Sequence, residues 1–264
     1  MKTLAALGLL ALAATSAQAL EPFRSYDNFG SSPLDPARWA DSERIRSIKA
    51  GALNLMQRQS GANTADAGAT FSNFNENLTN PAAVTALRAK ITVNAVEANA
   101  CAANTTPAQA RARIVGGFFN TGTPTPGSQL GDVTAQVRLT RLSNSADPAG
   151  TLRVQGLVLH CTSADCVAGS VIGNIVDLGT VALGQSAVVQ MEWDQAGKSF
   201  LFARDGGAFS GAVGYAESDT SPPGVLFRQL STRLDLPSCQ SAPRVTGVID
   251  ASFDNIAVNK SAAP

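Results

Sequence analysis

Glu192 and Asp194 stand two residues apart in the run Met191-Glu192-Trp193-Asp194. In an extended strand that spacing puts both carboxylates on one face and Met191 and Trp193 on the other. Two carboxylates on one face can divide the acid and the base or nucleophile roles that cleavage of a glycosidic bond requires. His160 is the only histidine, and its ring titrates near neutral pH and can serve as a base. Arg153 and Gln155 lie on the same run, but the five-residue offset places Gln155 and His160 on opposite faces of a regular strand. Arg111, Arg113, Gln136 and Arg138 occupy alternate positions of two strand-like runs. On one sheet face they would line a polar surface suited to an acidic polymer; the competing reading is an ordinary solvated face.

Other groups offer less. Tyr26, Trp39, Trp193 and Tyr215 are the only Trp and Tyr residues, and 11 Phe make up the rest of the aromatics. Phe usually goes to the core, so the supply of flat rings for stacking a sugar is thin, and Trp39 is the ring kept as a ligand candidate. Asp27, Asn28, Asp254 and Asn255 carry hard oxygens. Asp27 and Asp254 are candidate carboxylates for a structural Ca²⁺, against the common role of Asp and Asn as turn formers. No serine stands in a G-x-S-x-G elbow, and Gly116-Gly117 and Gly206-Gly207 do not make a phosphate loop.

The four cysteines are Cys101, Cys161, Cys166 and Cys239. Four cysteines allow three pairings, and sequence alone does not choose among them. The favoured pair of bonds is Cys161–Cys166, a local staple, with Cys101–Cys239, a long one. Loop entropy gives roughly 2 kcal/mol for the first and roughly 5 for the second. Zinc is the competing reading, with poor spacing: there is no C-x-x-C pair and one histidine.

These groups must be placed by strands. Residues 23–29 read as a strand, and 34–39 as a turn. Residues 44–58 suggest a hairpin around Gly51. Residues 70–78 read as a strand, and Asn80-Pro81 as a helix cap and first residue of one short turn. Ala89, Ile91, Val93 and Ala95 alternate with polar neighbours. Val133, Ala135, Val137 and Leu139 do the same, the pattern of a half-buried strand. Residues 110–120, 152–158, 172–181, 187–194, 199–203, 225–236 and 245–258 complete the strands. Phe118-Phe119 falls inside one, so regular alternation would send one ring inward and the other outward or across a second layer. Frequent turns and almost no helical period imply an all-β antiparallel two-sheet sandwich.

The run Tyr26-Asp27-Asn28-Phe29-Gly30 through Trp39 and the closing run Ala251-Ser252-Phe253-Asp254-Asn255-Ile256-Ala257-Val258 resemble the first and last strands of concanavalin A-like jelly rolls, the lectin and glucanase sandwiches. The resemblance covers most of residues 23–258 and implies that fold. Some glucanases of the group carry E-x-D-x-x-E on one strand. Glu192 and Asp194 match its first two acids, but Gly197 stands at the third. Non-catalytic laminin G-like sandwiches carry v-x-W-D, a turn, then F-x-F-x-x-D-G. Val189 to Asp194, with Phe200, Phe202 and Asp205-Gly206, resembles that pattern more closely. Polysaccharide lyases on this fold combine a histidine with Arg, Gln and Tyr, and no full motif of theirs surrounds His160.

Residues 1–19 begin with Met1-Lys2, continue through an Ala- and Leu-rich run and end in Ala17-Gln18-Ala19. They read as a secretory signal peptide, too short and too polar at its exit for a membrane span. The expected organisation is a signal peptide at 1–19, one sandwich domain at 20–258 and a flexible tail at 259–264. The product is expected in the periplasm or secreted, with no cofactor other than the Ca²⁺ alternative. Basic and acidic residues balance at 20 each, and the 15 arginines are spread along the chain. That balance does not draw the chain to nucleic acid, and membrane insertion is not expected. The leading expectation is a non-catalytic binding module whose partner, by the fold resemblance, is a glycan or another extracellular polymer. The alternatives are a polysaccharide-degrading enzyme, using Glu192 and Asp194 or His160, and a structural envelope protein with no small ligand.

Overall fold

The computed structural model describes residues 43–262. The expected signal peptide, the opening run, and the candidates Asp27 and Trp39 lie outside the described residues. The chain forms β1 (Glu43–Lys49), β2 (Ala52–Ser60), β3 (Ala69–Asn77), β4 (Ala86–Ala98), β5 (Gln109–Asn120), β6 (Asp132–Leu142), β7 (Thr151–Cys161), β8 (Gly169–Ala182), β9 (Ser186–Asp194), β10 (Ser199–Arg204), β11 (Phe209–Gly214), β12 (Arg228–Pro237) and β13 (Thr246–Val258). They make a seven-stranded sheet, ordered β1-β2-β13-β4-β9-β10-β11, and a six-stranded sheet, ordered β3-β12-β5-β6-β7-β8. The pairings within both sheets are antiparallel. This is the two-sheet sandwich expected from the alternation and turns.

The β1–β2 hairpin closes around Ala50 and Gly51, both left-handed (φ 51° and 78°), the geometry of a two-residue turn that matches strand twist. Inward positions of the two sheets interdigitate. Ile91, Met191 and Phe253 from one meet Ile114, Leu139 and Val154 from the other, all essentially inaccessible. One polar cluster crosses this interior. Gln57 Nε2 donates to Thr232 Oγ1 at 3.1 Å, and Ser72 Oγ donates to Gln57 Oε1 at 3.1 Å. Satisfied this way, the amide can remain buried.

Several local expectations change. Phe118 and Phe119 both point inward, because a β-bulge between Gly117 and Phe119 breaks the alternation. Phe118 packs edge-on to Phe200 at 5.0 Å, and Phe119 lies 5.0 Å from Tyr215. β11 was not expected: of Phe209-Ser-Gly-Ala-Val-Gly only Val213 is buried, so no alternation marks it. Pro81–Ala83 does form a single 3-10 turn, but Asn80 makes no side-chain cap bond. The tail expected from residue 259 is held through Ala262. Asn259 Oδ1 accepts from the Thr85 and Ala86 amides, its Nδ2 donates to Ala83 O, and Ala262 is buried.

Both disulfides favoured from spacing form, Cys101–Cys239 and Cys161–Cys166. Two disulfides are compatible with an exported protein. Among the described residues, no helix is long and apolar enough to cross a membrane.

Candidate functional site

Ala110, Ala112 and Ile114 of β5 enter the core. Strand alternation therefore turns Arg111, Arg113 and Val115 to the outer face of the six-stranded sheet. The same rule turns out Thr134, Gln136 and Arg138 of β6, because Val133, Ala135, Val137 and Leu139 go in. These residues lie in an open groove of about 640 Å³ along that face. β12 adds Gln229 and Arg233 to its lining, and β3 adds Asn73, Asn75 and Asn77. Arg111, Arg113, Gln136 and Arg138 thus come together as the alternation suggested. β6 is buried on both faces rather than half-buried, because Thr134 and Gln136 lie deep in the groove.

The strand registers place like charges side by side. Arg113 stands directly opposite Arg138, and Arg111 directly opposite Arg233. Like charges opposite one another in a sheet repel. Asp235, on β12, offsets part of this. It pairs with Arg111, and its Oδ1 accepts from Arg233 Nε at 2.6 Å. Arg113 hydrogen-bonds only neutral oxygens: Gln136 Oε1 at 3.1 Å, Asn73 Oδ1 at 2.9 Å and Ser231 Oγ at 3.4 Å. Arg138 donates twice to Gln155 Oε1, at 3.1 and 2.9 Å. Arg111 Nε is buried and has no partner among the described residues.

Burial, then the neighbouring Arg111 and Arg233, hold Arg113 well below the usual arginine range. Burial pushes Arg111 down to about 9 although Asp235 pulls it back up, and burial lowers Arg138 to about 10. Arg111 and Arg138 keep their charge at neutral pH, and guanidinium groups in general remain protonated in proteins. Asp235 is pushed up by burial, but Arg111 and Arg233 outweigh this and lower it overall. Four guanidiniums and one carboxylate therefore share the polar end of the groove, a surplus of positive charge in a poorly solvated place.

One end of the groove is built by the segment before β12. Asp132, fully buried, accepts from the amides of Gly224 (2.7 Å) and Val225 (3.0 Å) and from Asn120 Nδ2 (2.8 Å). The segment lies so close to β5 that a Cβ on Gly117 would come within 2.8 Å of Val225 O and 3.1 Å of the Phe227 ring. The Cys161–Cys166 loop closes part of the rim, contributing Asp165, Cys166 and Val167.

The remaining candidates lie elsewhere. Glu192 and Asp194 share the outer face of the seven-stranded sheet, with Met191 in the core behind them. Asp194 Oδ1 accepts from the Gly197 amide at 2.9 Å, closing the β9–β10 turn. A Cβ on Gly197 would meet that carboxylate, so a side chain there would have to displace the Asp194 carboxylate from the turn. Trp193 Nε1 donates to Tyr215 Oη at 2.8 Å, and Tyr215 Oη donates to Asp219 at 2.7 Å. These two rings belong to the aromatic cluster of Phe118, Phe119 and Phe200. His160 stands opposite Val133, whose side chain enters the core, and its Nε2 bonds Thr121 Oγ1 at 3.1 Å. Gln155 faces outward, bonded to Arg138, and His160 lies on the opposite face, as their offset implied. Asp254 lies 3.7 Å from Lys90 Nζ, and its Oδ1 accepts from the Asn255 amide at 2.7 Å, where a register shift follows.

Sequence reasoning missed Asn73, Arg233 and Asp235. Arg233 and Asp235 lie on one alternating run and Asn73 on another strand, but nothing local shows that β12 lies between β3 and β5.

No protein-family model and no curated protein matches the chain. Similar solved structures include a sialidase (TM-score 0.35, 11% identity, covering 81% of this chain and 17% of that one). The legume lectin-like domain from Entamoeba histolytica has a TM-score of 0.33 and 10% identity, covering 90% of this chain and 99% of that one. A GlcNAcα1-4Gal-releasing endo-β-galactosidase from Clostridium perfringens has a TM-score of 0.35 and 8% identity, covering 89% of this chain and 64% of that one. The chain thus spans a small part of the sialidase and nearly all of the lectin-like domain. Likenesses this weak carry no argument about ligand or activity.

Proposed function

We propose that this protein is a binding module for an acidic extracellular polymer, an anionic glycan, seated in the arginine groove of the six-stranded sheet. The observation that carries the reading is the pair of like-charge registers, Arg113 opposite Arg138 and Arg111 opposite Arg233, at a groove with Asp235 as their nearest offset. A folded sheet gains nothing from that arrangement by itself. A bound carboxylate or sulfate would neutralise it with charge-assisted hydrogen bonds. Burial favours such bonds, because the groove is less screened than open surface.

Binding without cleavage is favoured by what faces the ligand. The described lining residues include no histidine, tyrosine or glutamate; their one carboxylate, Asp165 at the rim, accepts from Ser163 Oγ and the Val167 amide, and Asp235 beside them is engaged by two arginines. Glu192 and Asp194 open on the other sheet. A proton-transfer pair would have to lie within hydrogen-bond reach of the scissile bond.

Native affinity electrophoresis through gels cast with acidic or neutral polysaccharides tests this, with Arg138→Ala and Arg138→Gln compared by thermal melting to confirm folding. The expected result is retardation by acidic polymers alone, left intact by staining. Loss of the Arg138 charge should weaken it by about tenfold or more, since a hydrogen bond to a charged group contributes roughly 1.5–3 kcal/mol. Retardation by neutral polymers, no retardation in any gel, or a cleared track would overturn it.

A further inference from the structure

The groove is not uniform along its strands. At one end the outward row across the sheet runs Arg113, Arg138, Gln155. The next outward row contains Val115, Gln136 and Leu157, and the one after it Thr134, Leu159 and Val171. Leu226 closes this end from the segment pinned by Asp132. The charged end therefore passes, within two outward steps of about 7 Å each, into an aliphatic end.

That aliphatic end is partly open to solvent: Val171 is 44% and Leu226 42% exposed, and Val167 at the rim is 41% exposed. Single exposed aliphatic residues need no explanation; these three gather at one end of a groove whose other end is charged. Their chemistry also restricts the ligand. Sugar rings are commonly held against flat aromatic faces. Phe118 and Phe119 turn into the core and Trp193 and Tyr215 bond to each other behind it, so Phe227, half-buried against Gly117, is the one ring in the described lining. What remains at this end is mostly branched aliphatic surface, which suits small alkyl groups better than the flat face of a pyranose.

We infer that the groove recognises an acidic glycan that also carries short acyl esters, with the carboxylate at Arg113 and Arg138 and the acyl group over Leu159, Val171 and Leu226. This rests on the acidic-polymer reading and adds to it the requirement for an apolar substituent about 7–13 Å from the charge.

Calorimetric titration with O-acetylated alginate, and with the same preparation after mild alkaline removal of its acetyl esters, tests the inference. De-esterification leaves the uronate carboxylates in place. The acetylated polymer should bind roughly three- to tenfold more tightly, as expected for burying one or two small apolar groups. A Val171→Thr/Leu226→Asn variant, altered only at exposed positions, should lose that preference. Equal affinity for the two polymers, or a preference unchanged in the variant, would overturn the acyl requirement and leave the acidic-polymer reading standing. Failure of both polymers to bind would overturn both.

Discussion

A guanidinium held by Ser231, Gln136 and Asn73 at the floor of a groove carries its charge without a carboxylate among its hydrogen bonds. Its neighbour Arg111 differs, because Asp235 shares itself between Arg111 and Arg233. Asp235 is thus the carboxylate that pairs directly with the groove's arginines, and its lowered pKa links it to stability. A carboxylate lowered in the folded state contributes stability that is fully present above its unfolded pKa of about 3.9, and this is lost as pH falls through the lower folded value. Thermal melts from neutral pH into acid should therefore show an acid-side loss below about pH 4. Asp235→Asn should melt lower at pH 7 and lose less on acidification. Equal melting at neutral pH would show that the pair carries no stability. At this scale, the alternation around Ala110, Ala112 and Ile114 made Arg111 and Arg113 legible as outward residues. Asp235 was not legible as their partner, because 124 residues separate it from Arg111.

The strands that present these residues are also where local pattern succeeded and failed. β4, β6 and β9 alternate clearly and fall where that period puts them. β11 buries one side chain and left no signal. The Phe118–Phe119 pair was misread because a bulge is a feature of pairing with β6, not of β5 alone. Gly156 shows the converse, a residue whose reason lies in the facing sheet. A Cβ there would overlap Phe202 of β10 at 2.6 Å from its Cβ. Gly156→Ala should cost about 1–3 kcal/mol through overpacking, whereas Gly122→Ala, whose nearest neighbour would be at 3.9 Å, should be close to neutral. Urea unfolding of the two variants decides this, and equal midpoints would mean that Phe202 moves aside freely.

For the whole molecule, the sandwich separates two surfaces of different character. The seven-stranded sheet carries Glu192 and Asp194 outward, beside polar contacts such as Thr92 with Ser186 and Asn94 with Ser252. The six-stranded sheet carries the groove, with arginines at one end and aliphatic residues at the other. Formal charge balance over the chain, 20 basic against 20 acidic residues, conceals this, because the arginines cluster only once β5 is paired with β6 and with β12. The sandwich itself was legible from strand period and turn composition, whereas the disulfides that form were a preference among three pairings that sequence left open. The choice of sheet face was not legible, since it depends on strand order. The most direct test is a crystal structure of the protein with a short acidic oligosaccharide. It should place a carboxylate within hydrogen-bond reach of Arg113 and Arg138, with no sugar over β9 and β10. Oligosaccharide density beside Glu192 and Asp194, or an empty groove at saturating ligand, would contradict the account.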